Sequence, residues 1–369
     1  MGGTKHQHFI PRSYLKNFAT VDGDKHFVEV MDKETGKITY PRSTKDICVQ
    51  KNLYTIPRAP ENEKYSLERY YAENVDTVYP EVYEILTDKS IEDITEEQRA
   101  KILSTCLSLY FRSPKFLDSD NEELDREIAR LRQFKVSPTA DLFLRFKGRD
   151  FFCKPDQIDA MYQEAKGYNK LNFIVNHFQQ WQECLKYKRE SGIMVIDVEE
   201  EVPLITCDNP VDIYKPGIGK VNVFDPINTI QLTLDRRHYL WIAPQFLEGN
   251  GLRIVRSPRD KYYALVHNES TEKNAIDWII GEKDTIEVYK SGLIKYSKAN
   301  PENTVAWNAR SLVAIKMFEL DDVIERHGFH STVTKNKLKE LGEISALQVD
   351  PGFQHLLAAM RKKFGEDYV

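Results

Sequence analysis

The spacing of apolar residues changes three times along this chain. In the opening stretch, Phe9-Ile10 reads as a short strand, and Pro11 stands where a helix can begin, because proline lacks only a donor that is unpaired there anyway. Tyr14, Leu15 and Phe18 then give that helix one apolar face. Residues 26–31 and 37–40 alternate as two strands around Asp32-Lys33-Glu34-Thr35-Gly36, a hairpin that Gly36 can close with a positive φ. Residues 51–56 read as one more strand. From 66 to 190 the period becomes helical. A segment starting at Ser66 is kinked or split at Pro80, Thr95-Glu96-Glu97-Gln98 is a capping box, and Ser113-Pro114 predicts a stop. Residues 118–135 read as an exposed helix or a long excursion. Residues 157–188 read as one helix or two, with Met161, Tyr162, Ala165, Leu171, Ile174, Phe178, Trp181 and Leu185 inward.

From 193 the strand period returns, at 193–198, 203–206, 229–234 and 239–243. A helix over 271–280, capped by Asn268 or Ser270, interrupts it, and Ile286-Glu287-Val288-Tyr289 follows as a strand. Beyond 300 the pattern is helical again, over 305–317, 335–341 and 352–364. The expected class is α+β: a small β-hairpin opening unit, a central helical region, a second β-rich half and a helical C-terminal extension. Residues 1–295 are expected to form a single domain and 296–369 the extension.

Composition changes this picture little. A chain of 369 residues that is 41% hydrophobic and 30% charged is long enough to bury a sizeable core and is globular in type. A net charge of −5 gives no overall basic footprint for nucleic acid. Residues 1–58, however, hold ten Lys/Arg against six Asp/Glu, a local balance of about +4. Five scattered cysteines without CxxC spacing support neither a thiolate zinc site nor a disulfide framework. No long apolar run predicts a membrane span, and a reducing, cytoplasmic setting is expected.

Candidate chemistry gathers at a few positions. His6 and His8, two apart, share one face of a strand and suit a divalent metal; alternatively His8 bonds a backbone carbonyl. Asp208 can hold Mg²⁺ or orient His8 as a general base, or, before Asn209-Pro210, simply build a turn. Arg112 at a helix end can clamp a phosphate or carboxylate, or complement the helix dipole. Glu68 and Asp76 lie about two turns apart on one helix. Arg12, Tyr14, Asn209 and Asn268 are the candidates for binding substrate. Cys207 reads as an inert buried thiol more readily than as a nucleophile.

Several of these positions carry a resemblance. His8, Pro11, Tyr14-Leu15 and Phe18, then Asn52-Leu53-Tyr54, Arg112-Ser113-Pro114, Cys207-Asp208-Asn209-Pro210-Val211, and Asn268 with Asn274-Ala275 are similar, in order, to motifs of the domain of unknown function 4238 family. The resemblance runs over about residues 6–290. It implies membership and no particular reaction. Cys207 departs from it, standing where the family usually has serine.

There is no Walker A loop, GxGxxG, HExxH or GxSxG motif, and no zinc-finger spacing. The leading expectation is a hydrolase, a metal-dependent nuclease or phosphodiesterase using Mg²⁺ or Mn²⁺, in phage defence or as a toxin. His8 and Asp208 would be its metal ligands, and His8, Asp208 and Arg112 its catalytic set. The alternative is a non-catalytic ligand-binding or sensor module of a multi-component system. Expected partners are nucleic acid, and a second copy or another protein at the C-terminal helices, with no membrane.

Overall fold

The computed structural model describes residues 6–56, 59–61, 63–134, 136–214, 223–224, 228–243, 252–299, 316, 319–320, 322–348 and 351–365. The protein is α+β. The strand at its start is β1 (His6–His8), which ends just before Phe9-Ile10; the Phe9 N–H still donates to the Cys48 carbonyl at 3.0 Å, and both side chains enter the core. Pro11 immediately precedes α1 (Arg12–Leu15), and a 3₁₀ turn, Lys16–Phe18, extends it. Tyr14, Leu15 and Phe18 are all buried, each apolar side chain contributing about 1.5–3 kcal/mol.

The hairpin forms as expected from β3 (Lys25–Asp32) and β4 (Ile38–Ser43), with β2 (Thr20–Asp22) on the other side of β3 near its start. Asp32 Oδ1 accepts from the N–H and hydroxyl of Thr35, both at 2.7 Å, and Gly36 sits at φ +69°. The strand expected over 51–56 is instead β5 (Val49–Lys51), which pairs with β1. Asn52 at φ +57° turns the chain out of the ladder, and Leu53 and Tyr54 are buried without one.

The helical region begins with α2 (Ser66–Tyr71), a π segment (Ala72–Asp76) and α3 (Tyr79–Thr87), with Pro80 in the first turn of α3. The capping box is present at α4 (Glu96–Phe111): Gln98 N–H donates to Thr95 Oγ1 at 3.1 Å and Thr95 N–H to Gln98 Oε1 at 2.8 Å. The chain stops at Arg112 and restarts at Pro114 as α5 (Pro114–Gln133). A hairpin, β6 (Leu142–Phe146) and β7 (Arg149–Cys153), interrupts the region expected to be helical throughout. Its two-residue turn, Lys147-Gly148, has positive φ at both positions, the geometry that follows strand twist. Residues 158–188 form a single helix, α6 (Ile158–Lys188), about 46 Å long. Its first half packs with α5 and the hairpin, its second half with the main core. Leu171, expected inward, is exposed.

The second half supplies a five-stranded sheet, β10 (Val211–Tyr214), β11 (Thr229–Thr233), β12 (His238–Ile242), β8 (Ile193–Val198) and β13 (Ile254–Arg259), in that spatial order, with β13 parallel to β8. Another strand, β9 (Thr206–Cys207), replaces the one expected at 203–206 and lies beside β14 (Trp278–Gly281), which pairs in turn with β3. The opening hairpin is thus completed by strands from the far end of the family-like region.

Two expectations here are corrected. The helix is α7 (Lys261–Asn274), and residues 278–281 are strand. Its inward side carries the buried polar residues His267, Asn268 and Thr271 beside Ala264 and Leu265, which blurs the apolar period. Residues 286–289 belong to α8 (Thr285–Ala299). Its first turn is served by Glu29 of β3, whose carboxylate accepts the N–H groups of Asp284 at 3.2 Å and Ile286 at 3.1 Å.

The expected helix over 305–317 lies outside the described residues, apart from Lys316. Beyond it, α9 (Thr332–Gly342), α10 (Ser345–Gln348) and α11 (Pro351–Phe364) share a cluster with Leu320 that includes Leu338, Leu341, Phe353 and Met360.

Candidate functional site

The motif residues scattered over some 270 positions meet along one seam between the opening segment, the end of α4 and the β9–β14 junction. Arg112, only 1% exposed, caps the C-terminal end of α4 and is its hub. Its Nη1 donates to Asp76 Oδ1 at 2.6 Å, Nη2 to the His8 carbonyl at 2.5 Å and Nε to the Tyr54 hydroxyl at 3.4 Å. The Tyr54 hydroxyl donates back to the Arg112 carbonyl at 2.6 Å. The guanidinium also lies 4.5 Å from the Tyr71 ring centre. Burial opposes its charge, but Asp76 and Tyr54 outweigh that, and its pKa lies above the ordinary arginine value. Tyr71 continues the seam into the core, bonding His177 Nε2 at 2.7 Å. His177 is fully buried, which pushes its pKa down to about 4 against the opposing carbonyl of Phe173.

The second part of the seam is built on β9. Asp208 accepts three backbone N–H groups, from Ile276 at 2.8 Å, Asp277 at 2.8 Å and Trp278 at 3.1 Å. A carboxyl group facing only donors is an ionised acceptor. Burial holds its pKa above the usual aspartate value, with the three donors working the other way. Asp208 therefore directs the chain from α7 into β14; among the described residues its carboxylate meets those N–H groups and not the His8 ring.

Asn209 accepts from the Ser113 hydroxyl at 3.3 Å and donates to Asn274 Oδ1 at 2.9 Å. Asn274 returns bonds to the carbonyls of Asn209 at 2.6 Å and Val211 at 2.9 Å. Asn268 is not a helix cap. From within α7 it accepts Ile205 N–H at 3.0 Å and donates to the Pro203 carbonyl at 2.9 Å, holding the chain that leads into β9. Tyr14 is fully buried, its hydroxyl donating to the Thr233 carbonyl at 2.9 Å and meeting Thr206 Oγ1 at 2.6 Å; burial raises its pKa far above the ordinary value.

A different face holds His8 and Arg12. His8 is half-buried, and its Nε2 meets the Thr44 carbonyl at 3.3 Å, so that nitrogen carries the proton in the neutral ring. Its other nitrogen has no hydrogen-bond partner among the described residues. Thr44 N–H in turn donates to the His26 carbonyl at 3.1 Å, so Thr44 sits between the two histidines. His26 Nδ1 and Arg12 Nε are buried without a hydrogen-bond partner among the described residues. Burial lowers the pKa of His8, partly offset by the Thr44 carbonyl, and Arg12 lowers it further. Burial lowers that of His26 too, with Lys16 and Arg12 adding to the effect. His26, Thr44, Tyr71 and His177 were not singled out by the sequence; two histidines at ordinary positions carry no spacing signal.

Among the described residues, no group of three or more His, Cys, Asp and Glu side chains is gathered to hold a metal ion, and no helix is long and apolar enough to cross a membrane. All five cysteines are free and buried, and burial raises the pKa of Cys207. A family model described as "Protein of unknown function (DUF4238)" matches residues 6–285. No curated protein and no solved structure matches the chain.

Proposed function

The chain belongs to the DUF4238 family of proteins of unknown function, and on that premise we propose that it is a non-catalytic binding or sensor module. Its ligand is a small anion, a phosphate or carboxylate, taken at the face formed by His8, Arg12 and His26. One observation carries the reading. Arg112 and Asp208, the charged residues best suited to catalysis or metal binding, commit their polar atoms to the fold, whereas Arg12 Nε and His26 Nδ1 are buried with no partner among the described residues. A buried unpartnered donor costs about 1–3 kcal/mol, which an anion would recover. Lys16, close enough to act on the charge of His26, adds a second cation at the same face.

A second reading keeps hydrolysis of phosphodiesters. It is favoured by the free nitrogen of His8, which in the neutral ring is a base, with Asp76 and Arg12 near enough to act on its charge. The binding of inorganic phosphate and the turnover of labelled DNA and RNA, with and without Mg²⁺ or Mn²⁺, separate the two. Phosphate binding lost in Arg12→Ala, with no cleavage, supports the binding module. Cleavage by the wild type that is lost in a folded His8→Ala variant supports the hydrolase. Neither binding nor cleavage sinks both.

A further inference from the structure

A cleft of about 290 Å³ opens where β8 and β13 end and β12 begins. Its charged lining comes from Asp197, Glu199, Arg237, Arg259 and Asp260, none of which belongs to the seam or to the His8 face. Three of the five are committed. Asp197 takes Lys89 at 2.5 Å and Arg237 at 3.2 Å, and Arg237 also holds Glu200 at 2.8 Å. Asp260 accepts Tyr263 N–H at 3.2 Å in the first turn of α7. The other two are open. The Arg259 guanidinium lies 5.0 Å from the Tyr263 ring centre and has no hydrogen-bond or ion-pair partner among the described residues; the Glu199 carboxylate has none either. Their backbones are joined, Glu199 N–H donating to the Arg259 carbonyl at 3.2 Å. One open cation and one open anion therefore stand at neighbouring strand ends without pairing to each other.

We infer that this cleft takes a small zwitterion of the α-amino-acid type, its carboxylate on Arg259 and its ammonium on Glu199. Three carboxylates in the lining repel a simple anion and two guanidiniums repel a simple cation, so a ligand bearing both charges is the one that the lining does not penalise. The planar fork of Arg259, backed by Tyr263, suits a carboxylate bidentately. The volume lies at the small end of ligand pockets, below what a nucleotide or a folded peptide needs.

Isothermal titration with the free L-amino acids, one at a time, tests this, followed by the N-acetyl and C-amide forms of the tightest. At least one free amino acid should bind, and blocking either end should weaken it at least about tenfold. Arg259→Ala should remove the preference for a free carboxylate and Glu199→Gln the preference for a free ammonium. Among the described residues neither side chain has a hydrogen-bond or ion-pair partner to lose, so both variants should fold. Arg12→Ala should leave amino-acid binding unchanged, which keeps this result independent of the phosphate experiment. No heat from any free amino acid at about 10 mM, or blocked forms binding as well as free ones, overturns the assignment.

Discussion

The seam around Arg112 and Asp208 and the face around His8 and Arg12 meet at the bond from Arg112 to the His8 carbonyl, yet they use polar chemistry in opposite ways. In the seam Arg112, Asp208, Asn209 and Asn274 all have hydrogen-bond partners within the chain. Arg112 ties the end of α4 to the opening segment, and Asp208 and Asn209 tie β9 to the stretch after α7. At the face, Arg12 and the two histidines keep nitrogens unpartnered among the described residues. Both regions hold family-like motif residues. The comparison teaches that such a residue marks either a joint of the fold or a contact for something else, and that hydrogen-bond accounting tells the two apart.

The sharpest way to break the comparison is to cut the seam. Arg112→Ala leaves Asp76 and the His8 carbonyl unpaired beneath the α4 end and should cost about 3–5 kcal/mol. Asp208→Ala strands three backbone donors and should cost about 3 kcal/mol or more. Urea unfolding monitored by circular dichroism reads both, and an unchanged midpoint in either variant would deny the seam its structural role.

Acid should open the seam next. His177 is neutral in the folded protein with its pKa near 4, whereas the unfolded chain titrates near 6.5. Its contribution is complete above about pH 6.5 and is lost as pH falls towards 4, because the unfolded state there binds the extra proton. The window is worth about 3 kcal/mol. His267, pushed down to about 3 by burial, extends the same loss to lower pH. His177→Gln should flatten the slope of stability against pH between 6.5 and 4; a slope identical to wild type would assign the loss to other groups.

Cutting the face should do the reverse. Arg12→Ala should not destabilise the fold, since among the described residues no hydrogen bond of its side chain is lost and an unpartnered buried donor is removed, while weakening phosphate about tenfold. A large loss of stability would place Arg12 in the seam instead.

The smallest effect expected is a pH dependence of anion binding. His8 and His26 are both held below 6.5 and gain positive charge only as pH falls under that value. Phosphate affinity should therefore rise modestly on acidification, and in His8→Ala with His26→Ala it should not. The measurement must stay within the range where the fold survives the loss at His177.

Much of the architecture was legible because it rests on local rules. The Thr95 capping box and the Gly36 turn answer to contacts within a few residues and the β8 strand to a local run of apolar residues, and each forms where the pattern placed it. The β6–β7 hairpin was also written in the chain, as Leu142, Leu144 and Phe146 alternating inward before Lys147-Gly148, but the helical periods on either side of it obscured it.

The candidate site was legible only as a set of positions. Family-like motifs pointed to Arg112, Asp208, Asn209 and Asn268, and chemistry alone left each with a functional reading, catalytic for the first two and substrate-binding for the others, beside a structural one. Their hydrogen-bond partners, which bear on these readings, lie far away in sequence: Asp76 for Arg112, residues 276–278 for Asp208, Asn274 for Asn209 and Ile205 for Asn268. The same holds for α8, which reads as strand from Ile286 and Tyr289 alone and becomes a helix whose first turn meets Glu29 of a strand 257 positions before Ile286. The sequence by itself determined where local hydrogen bonds and apolar periods place turns, caps and most elements. Tertiary structure decided which polar groups are consumed and which remain open, because a hydrogen bond depends on distance in space and the chain's order carries no record of that distance.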